Sequence, residues 1–125
     1  MKLKRRANAH FRQTDAGMLL IATRTARHPQ LQFPPLEFVH DDEPVEEVAI
    51  GPQGTLYTYT IVHPGKNSEP YALAMVDFEP NVRAFGRLVL DGGKAPKIGS
   101  AVRVVPYDMA DGSADYAFAA APGVQ

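Results

Sequence analysis

Thr55-Leu56-Tyr57-Thr58-Tyr59-Thr60-Ile61-Val62-His63 consists almost wholly of β-branched and aromatic residues. Bulk at Cβ fits a pleated strand and crowds a helix, so this stretch is the strongest strand in the chain. Just upstream, residues 45–50 alternate apolar and acidic side chains, as a strand with one face in a core does. Gly51-Pro52-Gln53-Gly54 joins the two and marks a turn or bulge, so together they read as one long strand bent at glycine.

Downstream the β character continues. Residues 64–70 form a loop, 71–78 a strand, and Glu79-Pro80-Asn81 a tight turn. Residues 82–90 form a strand with Val82, Ala84, Gly86, Leu88 and Leu90 on one face and Arg83, Phe85 and Arg87 on the other. Residues 91–97 read as a loop, 101–108 and 115–120 as strands, and Asp111-Gly112-Ser113 as the turn between them. Short connections without helical periodicity predict antiparallel pairing, because parallel neighbours need long crossovers. Five such strands in roughly 75 residues, the first long and bent, predict an all-β fold: a five-stranded Greek-key barrel of the OB type, with an SH3-like barrel as the competitor.

Before the barrel the pattern weakens. Residues 7–16 lack proline and glycine and predict a short helix ending at Gly17; residues 18–25 predict a strand. Residues 29–44 hold Phe33-Pro34-Pro35 and an acidic cluster with neither period, so they read as irregular. The division is therefore 1–43 for an N-terminal segment and 44–125 for the barrel.

The 125 residues, 45% hydrophobic and 22% charged, have the composition of a globular domain. With no cysteine, disulfides, thiolate metal sites and a cysteine nucleophile are excluded. No apolar run approaches ~18 residues, and the basic start lacks the roughly 7–15-residue apolar run of a signal peptide. A cytoplasmic location is the expectation. Net charge is −1, yet residues 1–28 carry +6, residues 29–47 carry −6, and the remainder −1. A basic arm beside an acidic connector means intramolecular complementarity, a partner surface, or merely solvated charge.

No catalytic constellation emerges. Ser68, Ser100 and Ser113 lie in loops or at strand starts, outside any G-x-S-x-G elbow. His63 near Ser68, and Asp77 with Glu79, are pairs without a third group to define a reaction. Asp91-Gly92-Gly93-Lys94 lacks P-loop spacing and reads as a hairpin turn. Tyr57, Tyr59 and Phe85 with Arg83, Arg87, Lys94 and Arg103 offer the residue types of a single-strand nucleic-acid groove, but the barrel segment has no positive excess to follow phosphates.

The order of Phe33-Pro34-Pro35, Gly54-Thr55-Leu56-Tyr57-Thr58-Tyr59-Thr60, and Ile98-Gly99 followed by Val102-Arg103-Val104 resembles the zinc-ribbon OB-fold proteins of the DUF-thirty-five family, from about Phe11 to Phe118. Members usually carry C-x-x-C on each side of the FPP segment, forming a four-thiolate zinc site. The matching positions here are Thr25 and His28 before it, and Val39 and Asp42 after it. Zinc is therefore not expected, which leaves a degenerate, metal-free ribbon; a weak oxygen–nitrogen site at His28, His40, Asp41 and Asp42 is the alternative to exposed polar loop residues. Without metal, the ribbon needs Leu19, Ile21, Leu31, Phe33 and Leu36 packed on the barrel or on a partner.

The resemblance implies a non-catalytic accessory subunit in a hetero-oligomer with a thiolase-like enzyme (a thiolase, acyltransferase or aldolase), sharing that enzyme's coenzyme A thioester. Phe11, Met18, Leu19, Leu20, Phe33 and Pro34 become the candidate apolar dock, and Arg83, Arg87, Lys94 and Lys97 the candidate contacts to coenzyme A phosphates. Loss of residues 1–43 should then abolish partner binding and leave a folded barrel. Single-stranded nucleic-acid binding, and a stand-alone enzyme using His63 or Asp77 and Glu79, are the competing classes.

Overall fold

The computed structural model describes residues 3–5, 9–40, 43–109 and 111–121. Its strands are β1 (Leu3–Arg5), β2 (Phe11–Thr14), β3 (Gly17–Arg24), β4 (Phe38–His40), β5 (Glu46–Ile50), β6 (Gln53–Val62), β7 (Tyr71–Phe78), β8 (Val82–Leu88), β9 (Ala101–Asp108) and β10 (Ala114–Ala120). Strands β6 to β10 close into a barrel in the order β10-β8-β7-β6-β9. Numbered within the barrel this is 1-2-3-5-4-1, the OB arrangement. The architecture is all-β, and among the described residues there is no helix.

The strand alternation works as its chemistry requires. On β8, Val82, Ala84 and Leu88 are buried while Arg83 and Phe85 are exposed. Leu56, Val76, Val102 and Phe118 fill the interior with essentially no exposure. A bulge between Leu56 and Thr58 reverses the alternation on β6, so Tyr57 is exposed while Tyr59 packs against the core.

The family-like motifs are parts of this closure. Leu56 N–H donates to the Ser100 carbonyl (3.0 Å), and Gly99 N–H to the Leu56 carbonyl (2.7 Å), stitching the loop before β9 onto β6. Asp91-Gly92-Gly93-Lys94 is a two-glycine turn: Asp91 and Lys94 exchange backbone hydrogen bonds, and both glycines have φ in the left-handed region, 60° and 80°.

Residues 46–50, read with β6 as one bent barrel strand, form β5 outside the barrel and pair with β3 instead, and two further expectations are corrected. The first concerns residues 7–16. Ala7 and Asn8 lie outside the described residues, but Phe11–Thr14 is a strand, not a helix, and pairs with β3. Gly17, read as a helix terminator, has φ 126° and begins β3 after a hairpin turn. Thr14 Oγ1 ties that turn by accepting the Ala16 N–H (3.2 Å) and donating to the Gly17 carbonyl (2.7 Å). Pairing with β3 gives Phe11 a packed position that an isolated short helix would lack. The second concerns pairing: β10 meets β8 in parallel through Ala117 opposite Arg87 and Phe118 opposite Leu88. Strand β9 lies between them in sequence, which supplies the chain length a parallel closure needs.

The N-terminal segment shares the barrel's core. Strand β3 pairs with β5 from Leu20 opposite Ile50 to Arg24 opposite Glu46. Met18, Leu20 and Ala22 are buried in one cluster with Ile50, Leu56, Val104 and Phe118. An aromatic series runs from His10 through Phe33, Tyr116 and Phe118 to Phe78, with centroid separations of 5.7–6.1 Å. Phe33 of the FPP segment thereby seats on barrel residue Tyr116.

Candidate functional site

The ribbon positions are held by hydroxyls. Thr25, 6% exposed, accepts the His28 N–H at Oγ1 (3.0 Å), and the backbones of Thr25 and His28 exchange hydrogen bonds at 3.0 and 3.2 Å. Fully buried Thr23 exchanges backbone hydrogen bonds with Gln32, and its Oγ1 accepts the Leu36 N–H (2.9 Å). Thr23→Val keeps the side-chain shape but removes that acceptor. It is expected to cost about 1–2 kcal/mol in urea unfolding, with Thr23→Ser, which keeps the acceptor, losing only its buried methyl, about 0.8 kcal/mol.

Of the candidate apolar dock, Met18 and Leu20 are 5% and 0% exposed within the protein's own core, so no partner reaches them without unfolding β3. Phe11, Leu19 and Phe33 are half-buried, and Pro34 is exposed. The basic and acidic segments meet at Arg24, whose guanidinium binds Glu46 in a two-pronged pair (2.8 and 3.1 Å), and at Arg27 with Glu43 (3.5 Å). This realises the intramolecular complementarity; as an exposed pair, Arg24–Glu46 adds little stability.

The four candidate cations lie in two places, the outer face of β8 and the loop that follows it. Arg83 and Arg87 stand on the outer face of β8, ~13 Å apart by strand rise. Arg83 is held by Asp77 (2.6 and 3.2 Å), and its guanidinium carbon lies 3.5 Å from the Tyr57 ring centroid. Arg87 is flanked by the rings of Tyr71 (4.6 Å) and Tyr107 (5.0 Å). Lys94 and Lys97 are exposed in the loop between β8 and β9.

Between the two arginines runs an apolar row. Thr58 is opposite Met75 and Met75 opposite Phe85, with Tyr57 at the bulge beside them. Tyr57, Met75 and Phe85 are 48%, 38% and 53% exposed. Sequence alternation exposes Phe85 and both arginines on β8, but the role of Tyr57 depends on the bulge. Beneath the face, Tyr116 donates its hydroxyl to the Phe85 carbonyl (2.6 Å), and burial pushes its phenol up to about 12, so that donor stays protonated through the neutral range.

Groups considered for catalysis are committed to structure or stand apart. Asp77 is spent on Arg83, Glu79 is exposed at the β7–β8 turn, and His63 and Ser68 are exposed without a hydrogen bond between them. A cleft of about 530 Å³ beside Arg83 is lined by Gln53, Thr55, Asp77, Glu79 and Asn81 among others, but brings together no nucleophile and base.

Residues 47–106 match the family model of the C-terminal OB-fold domain of ChsH2. This part of the chain is similar to that domain. A solved structure entitled "Ltp2-ChsH2(DUF35) aldolase" has the same fold, with a TM-score of 0.63 and 21% identity over 82% of this chain and 84% of that one. No curated protein sequence matches significantly. The zinc site of a DUF35 ribbon does not fit the residues present here. Thr25 offers a hydroxyl already engaged by the His28 N–H, and Val39 has no donor atom in its side chain. Asp41 and Asp42, with the His40 side chain, lie outside the described residues; among the described residues no group of three or more His, Asp or Glu is placed to hold a metal. No described helix is long and apolar enough to cross a membrane.

Proposed function

We propose that the chain is a non-catalytic accessory subunit that docks on a thiolase-fold enzyme and supports its acyl-CoA binding or its assembly. The observation that carries this reading is the shared fold, over four-fifths of both chains, with the DUF35 chain of a structure named as an aldolase. The lack of a catalytic constellation among the described residues accords with it. The subunit needs no zinc, because threonine hydroxyls and the Phe33–Tyr116 contact hold the ribbon. Toward a coenzyme A phosphate, Lys94 and Lys97, both exposed in the loop between β8 and β9, are the cations of the four that a polyanion can reach.

Single-strand binding is less well served. Arg83 covers a face of the Tyr57 ring on which a base would stack, and Tyr59 packs against the core. Affinity purification from the native host, followed by mass spectrometry, tests the reading. A thiolase-fold enzyme retained near one-to-one is the expected result; a chain recovered alone, or with nucleic acid, overturns it.

A further inference from the structure

We propose that the partner enzyme docks on the outer face of β6, β7 and β8, where Arg87 receives a carboxylate from the partner and Met75 and Phe85 are covered by an apolar surface. The proposal rests on the accessory-subunit reading but moves the interface from the N-terminal segment to the barrel.

The composition of the face is that of a protein interface. Outward positions on β7 and β8 are Tyr71, Leu73, Met75 and Asp77, then Arg83, Phe85 and Arg87. Aromatic residues, methionine and arginine are the types enriched at interfaces; of the charged types depleted there, these positions hold Asp77 alone, and it is paired with Arg83. The apolar row occupies the middle of the face and the charged groups its margins, as in an interface with a dry centre and polar rim.

Charge decides the occupant. Asp77 already neutralises Arg83, so among the described residues the face presents one cation without a carboxylate, Arg87. The rings of Tyr71 and Tyr107 flank its guanidinium, an arrangement that suits a planar carboxylate approaching the edge of the fork. A second copy of the chain has no free carboxylate to offer from the same face: its Asp77 is spent, and two-fold pairing brings like faces together. A nucleic-acid strand requires a series of cations, and among the described residues this face offers only Arg87 free of a carboxylate. The matching surface is therefore a protein that is apolar at its centre and carries an aspartate or glutamate beside it. The candidate dock at the N terminus has less to give, because Met18 and Leu20 belong to the core.

The test uses the complex purified from the host, its larger subunit identified by mass spectrometry as thiolase-fold. Phe85→Ala and Arg87→Glu are compared with Leu19→Ala and Pro34→Ala, all checked for an unchanged thermal midpoint. Each barrel-face substitution is expected to weaken subunit retention at least tenfold, with the N-terminal pair near wild type. Retention lost only in the N-terminal pair, or kept in all four, overturns the docking face while leaving the accessory role intact. Wild type that retains no thiolase-fold enzyme overturns both. Free chain whose binding of coenzyme A or of a twelve-residue oligothymidylate is abolished by Arg87→Glu, while its partner is retained, overturns docking and makes the face a ligand site.

Discussion

Gly54→Val is expected to remove most of the stability of the barrel. A Cβ at this position meets Val76 Cγ1 at 2.7 Å, the Asp77 carbonyl oxygen at 2.8 Å and the Phe78 ring at 2.9 Å. A side chain can turn aside, but the Asp77 carbonyl belongs to β7, whose register with β6 includes Thr55 opposite Asp77. Gly54 is also opposite Val102 of β9, so the residue lies where one strand joins two neighbours. Overpacking a core costs about 1–3 kcal/mol when side chains absorb it. Here the backbone must yield as well, so the loss should exceed about 3 kcal/mol against a total of roughly 5–15 kcal/mol for a domain. Urea unfolding followed by far-ultraviolet circular dichroism measures it, with Gly54→Ala as the milder step. An unchanged midpoint for either variant would contradict the close approach of β6 to β7 at this point.

Leu20→Ala is expected to cost about 2–5 kcal/mol, although Leu20 lies well before the barrel in sequence. Its side chain is fully buried in the cluster that includes Ile50, Leu56 and Phe118. The whole chain should unfold in one transition, shifted to lower urea. By the same reasoning, deleting residues 1–43 strips Met18, Leu20 and Ala22 from that cluster, so the remaining barrel should be unstable rather than intact. Two separate transitions, with the barrel's own unaffected by Leu20→Ala, would contradict a shared core.

Much of this architecture is legible in the sequence. The β-branched run from Thr55 and the alternation on residues 82–88 place the barrel strands and put Arg83, Phe85 and Arg87 on one face. The exceptions have physical reasons. Residues 11–14 lack any breaker, and the glycine that follows suits a helix end as well as a hairpin; pairing with β3 decides between them. Strands β1 and β4, of three residues each, are too short to show a period. The parallel closure rests on two residue pairs, a tertiary fact with no local signature. Apolar residues such as Met18 and Leu20 look alike whether they serve a core or a dock, and only the β3–β5 pairing assigns them inward. The exposure of Tyr57 follows from a bulge that the alternating Thr-Leu-Tyr-Thr-Tyr-Thr run does not announce.

The same distinction separates motif from function. Gly54, Leu56, Gly99 and Val102, which carry the family resemblance, all serve barrel closure. The outer face on which docking is proposed is built from other residues, Met75, Phe85 and Arg87 among them.

The most direct test of the account is a reconstitution assay in which the purified chain and the thiolase-fold enzyme isolated with it are assayed for acyl-CoA turnover apart and then together. The account predicts no turnover by the chain alone and a gain in the enzyme's activity or thermal stability when it is added at one-to-one. Turnover by the isolated chain, or an enzyme indifferent to it on both measures, would contradict the accessory role.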